Sequence, residues 1–540
     1  MLAGAWRWLD ANLFALGREM RWSYLPPLMV YAAFGISGLT GIVGAFFIKD
    51  YLGLSAAFLA ALGFWAGIPW ALKMPLGHLV DLIWRWKSGL VFLGAGLVAA
   101  SLLIMVGLLS HREAMAALMS AEAWYVLAAL LSPTGFVLQD VVADAMTVEA
   151  VPRAHADGRP VSEDERRLMN TTMQTLGRVA LIGGLALVAA INLYMFADVA
   201  RLSEAEKVAV YRRIYLTALA IPLISVAGIG LAAWLRRREL RRLLGQGVDP
   251  VQARAMLVPP IDRPAPNWWI LGGGMGFVAF TLGVVAAPGG LDEEIVFVGS
   301  LAIVLFLIAK LTRALEPTAR ATLIGTATVI FVYRAVPLPG EGLTWWMIDV
   351  LGFDQRFLAV LSLVGSLLTL VGMVVFRRFI GTHSIVYVVG ALTVLATLFS
   401  LPVLGLYHGL HQWTAARTGG MVDARFIVVV NTALESPLGQ VAMIPMLAWI
   451  ANSAPSSLKA TYFAIMASFS NLSLSAGQLA TKYLNQVFVI TREVRDPAGA
   501  IVTPADYSQL GALLLVQLVL GLGLPFLAIV VVRALRLRWA

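Results

Sequence analysis

The chain reads as an all-α polytopic membrane protein of about fourteen transmembrane helices, in two six-helix bundles with a two-helix insert. Three observations carry this reading. Hydrophobic residues make up 59% of the 540 and charged residues only 13%, at a mean hydropathy of +0.82; a soluble chain is about a quarter charged. Apolar, nearly uncharged runs of roughly the 20 residues a bilayer requires recur along the whole sequence. A segment opening the second run also returns at the tenth. Leu52-Gly53-Leu54-Ser55-Ala56-Ala57-Phe58-Leu59-Ala60 and Leu351-Gly352-Phe353-Asp354-Gln355-Arg356-Phe357-Leu358-Ala359, 299 residues later, agree at five of nine positions.

Residues 1–24 set Trp6, Trp8, Leu9, Leu13 and Phe14 among Arg7, Arg18 and Arg21, the pattern of an interfacial amphipathic segment before an uncleaved first span. Spans are expected at Leu25–Phe47, Leu54–Leu72, Ser88–Ser110, Trp124–Val148, Met169–Phe196 and Ile214–Leu235, forming an N-terminal bundle over 25–235. A cytoplasmic linker (236–266) and an inserted helix pair (267–313, with spans Trp268–Ala287 and Ile295–Leu311) follow. The second bundle (314–540) takes Ala321–Pro337, Phe357–Phe376, Ile385–Leu406, Phe426–Ile450, Ala460–Ile490 and Leu510–Val532.

Alternating the loops tests this layout. With both termini cytoplasmic, the inner loops collect Arg153, Arg159, Arg166 and Arg167, then Arg236, Arg237, Arg238, Arg241, Arg242, Arg254 and Arg263, and later Arg377, Arg378, Arg533, Arg536 and Arg538. The short outer loop Pro288–Glu294 carries Asp292, Glu293 and Glu294 without a basic residue. That is the positive-inside pattern of a multi-pass protein of the cell (inner) membrane. The net charge of +9 therefore reflects topology and not a nucleic-acid partner. Arg178 and Arg334 are read as the cations left inside spans.

The fourth span is the most informative: Gln139-Asp140-Val141-Val142-Ala143-Asp144-Ala145-Met146-Thr147-Val148-Glu149. A carboxylate at a helix centre in hydrocarbon costs about 2.5–3.5 kcal/mol even on insertion scales. Asp140 and Asp144, one turn apart, share a face and must look onto a wet cavity or a partner. Arginine's planar fork suits a carboxylate or phosphate, so Arg178 and Arg334 either clamp an anionic solute or neutralise an aspartate such as Asp140. Glu435 of the twelfth span is a further candidate for the cavity wall, and Glu149 stands at the cytoplasmic mouth. Gly35, Gly38, Gly41 and Gly44 in the first span suggest close helix packing. Lys73 lies at the cytoplasmic end of the second span, where it could simply snorkel. His408-x-x-His411 has no third ligand pattern, and neither a nucleotide-binding loop nor a hydrolase or protease signature occurs. No metal, cofactor or enzymatic activity is expected.

Two motifs carry a family resemblance. Gly77-His78-Leu79-Val80-Asp81, followed by Arg85 and Lys87, resembles the signature loop of the major facilitator superfamily, although Leu82 stands where an arginine is usual. The resemblance implies a gating role for Gly77, Asp81 and Arg85, to which Lys73 and Glu149 are joined as gate candidates. Pro69-Trp70-x-x-Lys73 with Gly77 and Asp81, and Asp140-Val-Val-x-Asp144-Ala-Met-x-Val-Glu149, resemble the folate-biopterin transporter family; Gln139-Asp-Val-Val-x-Asp-Ala is as similar to bacterial muropeptide permeases. The likeness is strongest over the first six spans, fainter over the last six, and leaves the inserted pair outside the folate-type pattern. It implies the major facilitator fold and a secondary active transporter for a folate- or pterin-like solute, working by alternating access; the buried acids and arginines point to a polar, anionic solute and to coupling to protons, and a monomer is expected. Gln139, Asp140, Asp144, Arg178, Arg334 and Glu435 are its substrate or proton candidates. A muropeptide-type permease, or a non-transporting assembly factor on the same scaffold, is the alternative.

Overall fold

In lipid a backbone must satisfy its own N–H and C=O groups, and a helix does so within one segment. The computed structural model describes residues 18–47, 52, 54–71, 73–152, 161–257, 266–286, 289–313, 316–375, 384–438, 459–495 and 501–537. A helix stands at each expected span. α1 (Leu25–Ile36) continues through a 3-10 turn into α2 (Gly41–Phe47). α3 (Ala56–Ala71) is followed by the shorter α4 (Lys73–Leu82). Then come α5 (Lys87–Ser110), α6 (Ala121–Ala150) and α7 (Glu163–Met195). The sixth span divides into α8 (Glu204–Ala218) and α9 (Ala220–Gly245), which together extend beyond the apolar run at both ends. The inserted pair is α10 (Trp268–Ala286) and α11 (Asp292–Thr312). α12 (Pro317–Arg334), a short α13 (Glu341–Asp349), α14 (Gln355–Val375), α15 (Ile385–Tyr407), α16 (Ala424–Glu435), α17 (Lys459–Val487) and α18 (Leu510–Ala534) complete the chain. A small hairpin, β1 (Val494–Arg495) with β2 (Ile501–Thr503), joins α17 to α18. The expected interfacial segment up to residue 17 and the twelfth span beyond residue 438 lie outside the described residues.

Among the described residues, ten helices are long and apolar enough to cross a membrane. α11, α12, α16 and α17 do not meet that measure. For α17 the reason is its surroundings: it packs against α3 and α11, so it can bury Ser468, Ser470, Ser473, Ser475, Thr481, Lys482 and Asn485 away from lipid.

The internal repeat has a structural counterpart. The Ser55 hydroxyl accepts the Phe58 N–H at 3.1 Å and opens α3, while the Asp354 carboxylate accepts the Phe357 N–H at 2.7 Å and opens α14. Each is an N-cap satisfying a donor that the first helical turn leaves orphaned, and the two caps sit 299 residues apart. The contacts between bundles obey the same relation: α3 packs on α17, and α14 packs on α7. The fold is the major facilitator architecture, two six-helix bundles with an added helix pair.

The face at which α1 begins and α18 ends is here the terminal face; α2, α3 and α17 reach the opposite face. Of the four glycines in the first span, only Gly35 makes a close approach. A Cβ built there would lie 2.1 Å from the Leu181 carbonyl oxygen of α7, whereas one on Gly41 or Gly44 would meet nothing within 4 Å. Forcing a side chain into a filled interface costs typically 1–3 kcal/mol. Gly35→Leu should therefore lower the melting temperature of the detergent-solubilised protein by several degrees while Gly41→Leu leaves it unchanged; equal shifts would refute this packing assignment.

Candidate substrate site

The site is built on α4, which follows α3 in the second span. Pro75 has no N–H to donate. The neighbouring donor, Met74 N–H, is taken by Ser468 Oγ of α17 at 3.1 Å. This places Lys73 at the head of α4, facing α6. Its Nζ lies 2.6 Å from Asp140 Oδ2 and 2.8 Å from Asp144 Oδ2, bridging the two carboxylates one turn apart. Tyr31 of α1 donates its hydroxyl to Asp144 Oδ1 at 2.6 Å. Lys73 thus does not snorkel to the interface: it is the cation of a three-helix polar cluster.

The cluster is open on one side only. Toward the opposite face, one turn further along each helix, Phe34, Trp70 and Phe136 pack together, with ring centroids 5.2 Å apart for Phe34–Trp70 and 5.4 Å for Phe34–Phe136. The Asp140 side chain keeps 11% of its exposure and Asp144, one turn nearer the terminal face, 41%. The accessible edge therefore faces the terminal side. Arg178 of α7 follows Gly177, whose position is packed against the Tyr31 ring. It makes no ion pair among the described residues, yet lies near enough for its charge to act on Asp140 and Tyr31. One lysine serves two carboxylates; the guanidinium beside them balances the set and keeps its donors.

Other candidates lie elsewhere. Gln139 is buried and turned toward α5, with its amide donating to the Gly135 carbonyl at 3.3 Å and its side chain against Gly94. Glu149 pairs with Lys87 at 2.6 Å and approaches Arg236 at 3.8 Å, tying α5, α6 and α9 of one bundle. Arg85 is exposed, and Gly77 lies inside α4 with nothing near a would-be Cβ; the side chain of Asp81 is outside the described residues. Glu435 is exposed at the end of α16. Arg334 ends α12, its Nε buried without a partner. Its carbonyl faces Gly477 of α17, nine residues beyond the Ser468 that meets α4. At 1.5 Å per residue, that is about 14 Å farther toward the opposite face than Lys73. Arg178 and Arg334 are therefore not the only cations inside spans. Lys482 lies in α17, bonded to Glu293 and Glu294 of the inserted pair. Tyr31 and Lys482 carry no sequence signal, being single polar residues whose partners are set by helix crossing. On the opposite face, burial lifts the Glu341 carboxyl of α13 above the ordinary carboxylate range.

The two-bundle helical fold, with its buried ionisable cluster in the first bundle beside the contact of α4 with α17, is that of a membrane transporter, and comparison with known proteins agrees. A peptide transporter POT variant solved with alafosfalin superposes with a TM-score of 0.57 at 15% identity, covering 96% of this chain and 95% of that one. The nucleoside transporter NupG does so at 0.54 and 10% identity, covering 94% and 99%. These likenesses establish the fold. In sequence the chain resembles the folate-biopterin transporters. It is 22% identical over 482 residues to "Folate-biopterin transporter" of a Synechocystis strain, covering 87% of this chain and 76% of the relative. Residues 292–536 match the model of the BT1 family. That match corrects one expectation: it begins at α11, so the second inserted helix falls within the family pattern, and it runs through the second bundle, where the motifs looked fainter.

Proposed function

We propose that the protein is a secondary carrier that moves a polar, anionic, folate- or pterin-like solute across the cell membrane by alternating access, coupled to protons. The observation that carries the reading is the Lys73–Asp140–Asp144–Tyr31 cluster with Arg178 beside it. A carrier for an anion needs a cation with uncommitted donors, and Arg178 is one. The mutually tilted rings of Phe34, Trp70 and Phe136 offer aromatic faces beside the cluster against which a planar heterocycle can pack. On the opposite face, bonds join the bundles: Gln355 donates to the Tyr211 hydroxyl at 2.8 Å and Arg356 approaches the Ala197 carbonyl at 3.5 Å. These bonds across the opposite face, with the Asp144 side chain still 41% exposed, support a reading in which access alternates between the two sides. The two aspartates are the proton acceptors in this reading, because they are the carboxylates of the cluster and the Asp144 side chain keeps 41% of its exposure.

The cargo is tested by thermal stabilisation of purified protein with folates, pterins and muropeptides. A shift confined to folates and pterins is expected; one confined to muropeptides would reassign the cargo. Coupling is tested in vesicles. An imposed proton gradient should accelerate uptake by the wild type and leave Asp140→Asn, which removes one titrating carboxyl, at its basal rate. Wild-type uptake indifferent to the gradient would remove coupling from the mechanism.

A further inference from the structure

We infer that the inserted pair α10–α11 is a clasp across the two bundles, which holds the opposite face shut through Glu293 and Glu294. Glu293 touches both sides of the moving interface. Its Oε1 accepts the Trp65 indole N–H of α3, in the first bundle, at 3.2 Å. Its Oε2 lies 3.1 Å from Lys482 Nζ of α17, in the second. Glu294 adds a 3.0 Å contact to the same ammonium and accepts the Tyr483 hydroxyl. The side chains of Lys482, Glu293 and Glu294 keep only 11%, 17% and 22% of their exposure, so these are charge-assisted bonds with little water to replace them.

The other end of the pair is fixed to the first bundle. The Asn267 N–H donates to His78 Nε2 of α4 at 2.9 Å. Gly274 admits Pro75, which a Cβ there would meet at 2.4 Å, and Ile270, Leu307 and Met74 form a buried cluster. The insert is thus anchored to α4 near the terminal face and bonded to α17 near the opposite face. When α3 and α17 part on the opposite face, Glu293 must release either Trp65 or Lys482. The clasp therefore stabilises the closed arrangement only.

The inference does not depend on the cargo, and its test needs none. The chain has no cysteine, so spin labels can be placed at Phe58→Cys on α3 and Val487→Cys on α17, both exposed at the opposite face. Pulsed electron resonance on the substrate-free protein then reads the separation of the two helices. Losing a hydrogen bond to a charged group shifts an equilibrium by about ten-fold or more. The double variant Glu293→Gln/Glu294→Gln is expected to raise the population at the longer distance by at least about five-fold. Trp65→Phe, which keeps an aromatic side chain and removes the indole donor, should produce a smaller shift in the same direction and guards against misfolding of the first variant. Distance distributions unchanged in both variants would overturn the clasp, and would leave the proposed cargo and coupling untouched.

Discussion

A Lys73→Ala variant is expected to lose about 3 kcal/mol of stability in detergent and to abolish uptake. Removing one partner of a buried pair leaves an uncompensated charge, at about 3–5 kcal/mol; here Lys73 serves two carboxylates, Asp140 and Asp144. The lower end of that range applies because Asp144 keeps 41% of its side-chain exposure and can still draw on water. The triple variant Lys73→Ala/Asp140→Asn/Asp144→Asn removes the orphaned charges together with their partner. It should recover most of the stability, as neutralised clusters do, while uptake stays absent. The non-additivity between single and triple variants in a denaturant titration measures the coupling. If Lys73→Ala unfolds no earlier than the wild type, the three groups do not share one dry cluster, and the central site is wrong.

The sequence makes the helices legible because bilayer thickness fixes their length and the cost of unsatisfied backbone fixes their type. It also makes the shared face of Asp140 and Asp144 legible, since four residues close one helical turn. Gln139, adjacent in sequence, points to α5 because one residue is a rotation of about 100°. The partner of the aspartates is not legible, because it depends on how α4 packs against α6 in space. Tyr31 is a lone phenol in an apolar run until α1 is packed beside α6. Lys482 disappears into a span for a related reason: the carboxylates that hold it lie about 190 residues away, at Glu293 and Glu294.

Arg178→Ala is expected to act on transport and not on folding, and this separates it from Lys73. Its guanidinium bonds to no side chain among the described residues, so its removal breaks no hydrogen bond or ion pair, and only its longer-range charge on Asp140 is lost. The melting temperature should stay within a degree or two of the wild type. A guanidinium that takes a solute carboxylate makes a charge-assisted, two-pronged bond. Hydrogen bonds to charged groups contribute about 1.5–3 kcal/mol, which is roughly a 10- to 150-fold rise in KM for an anionic solute. Arg178→Lys restores the charge without the fork and should recover only part of the loss. An uncharged pterin lacking the carboxylate should bind the wild type and Arg178→Ala alike. If Arg178→Ala instead weakens both solutes equally, the guanidinium holds Asp140 and not the cargo, and the anion must be recognised elsewhere. Arg334, whose buried Nε has no partner, is then a candidate, about 14 Å nearer the opposite face.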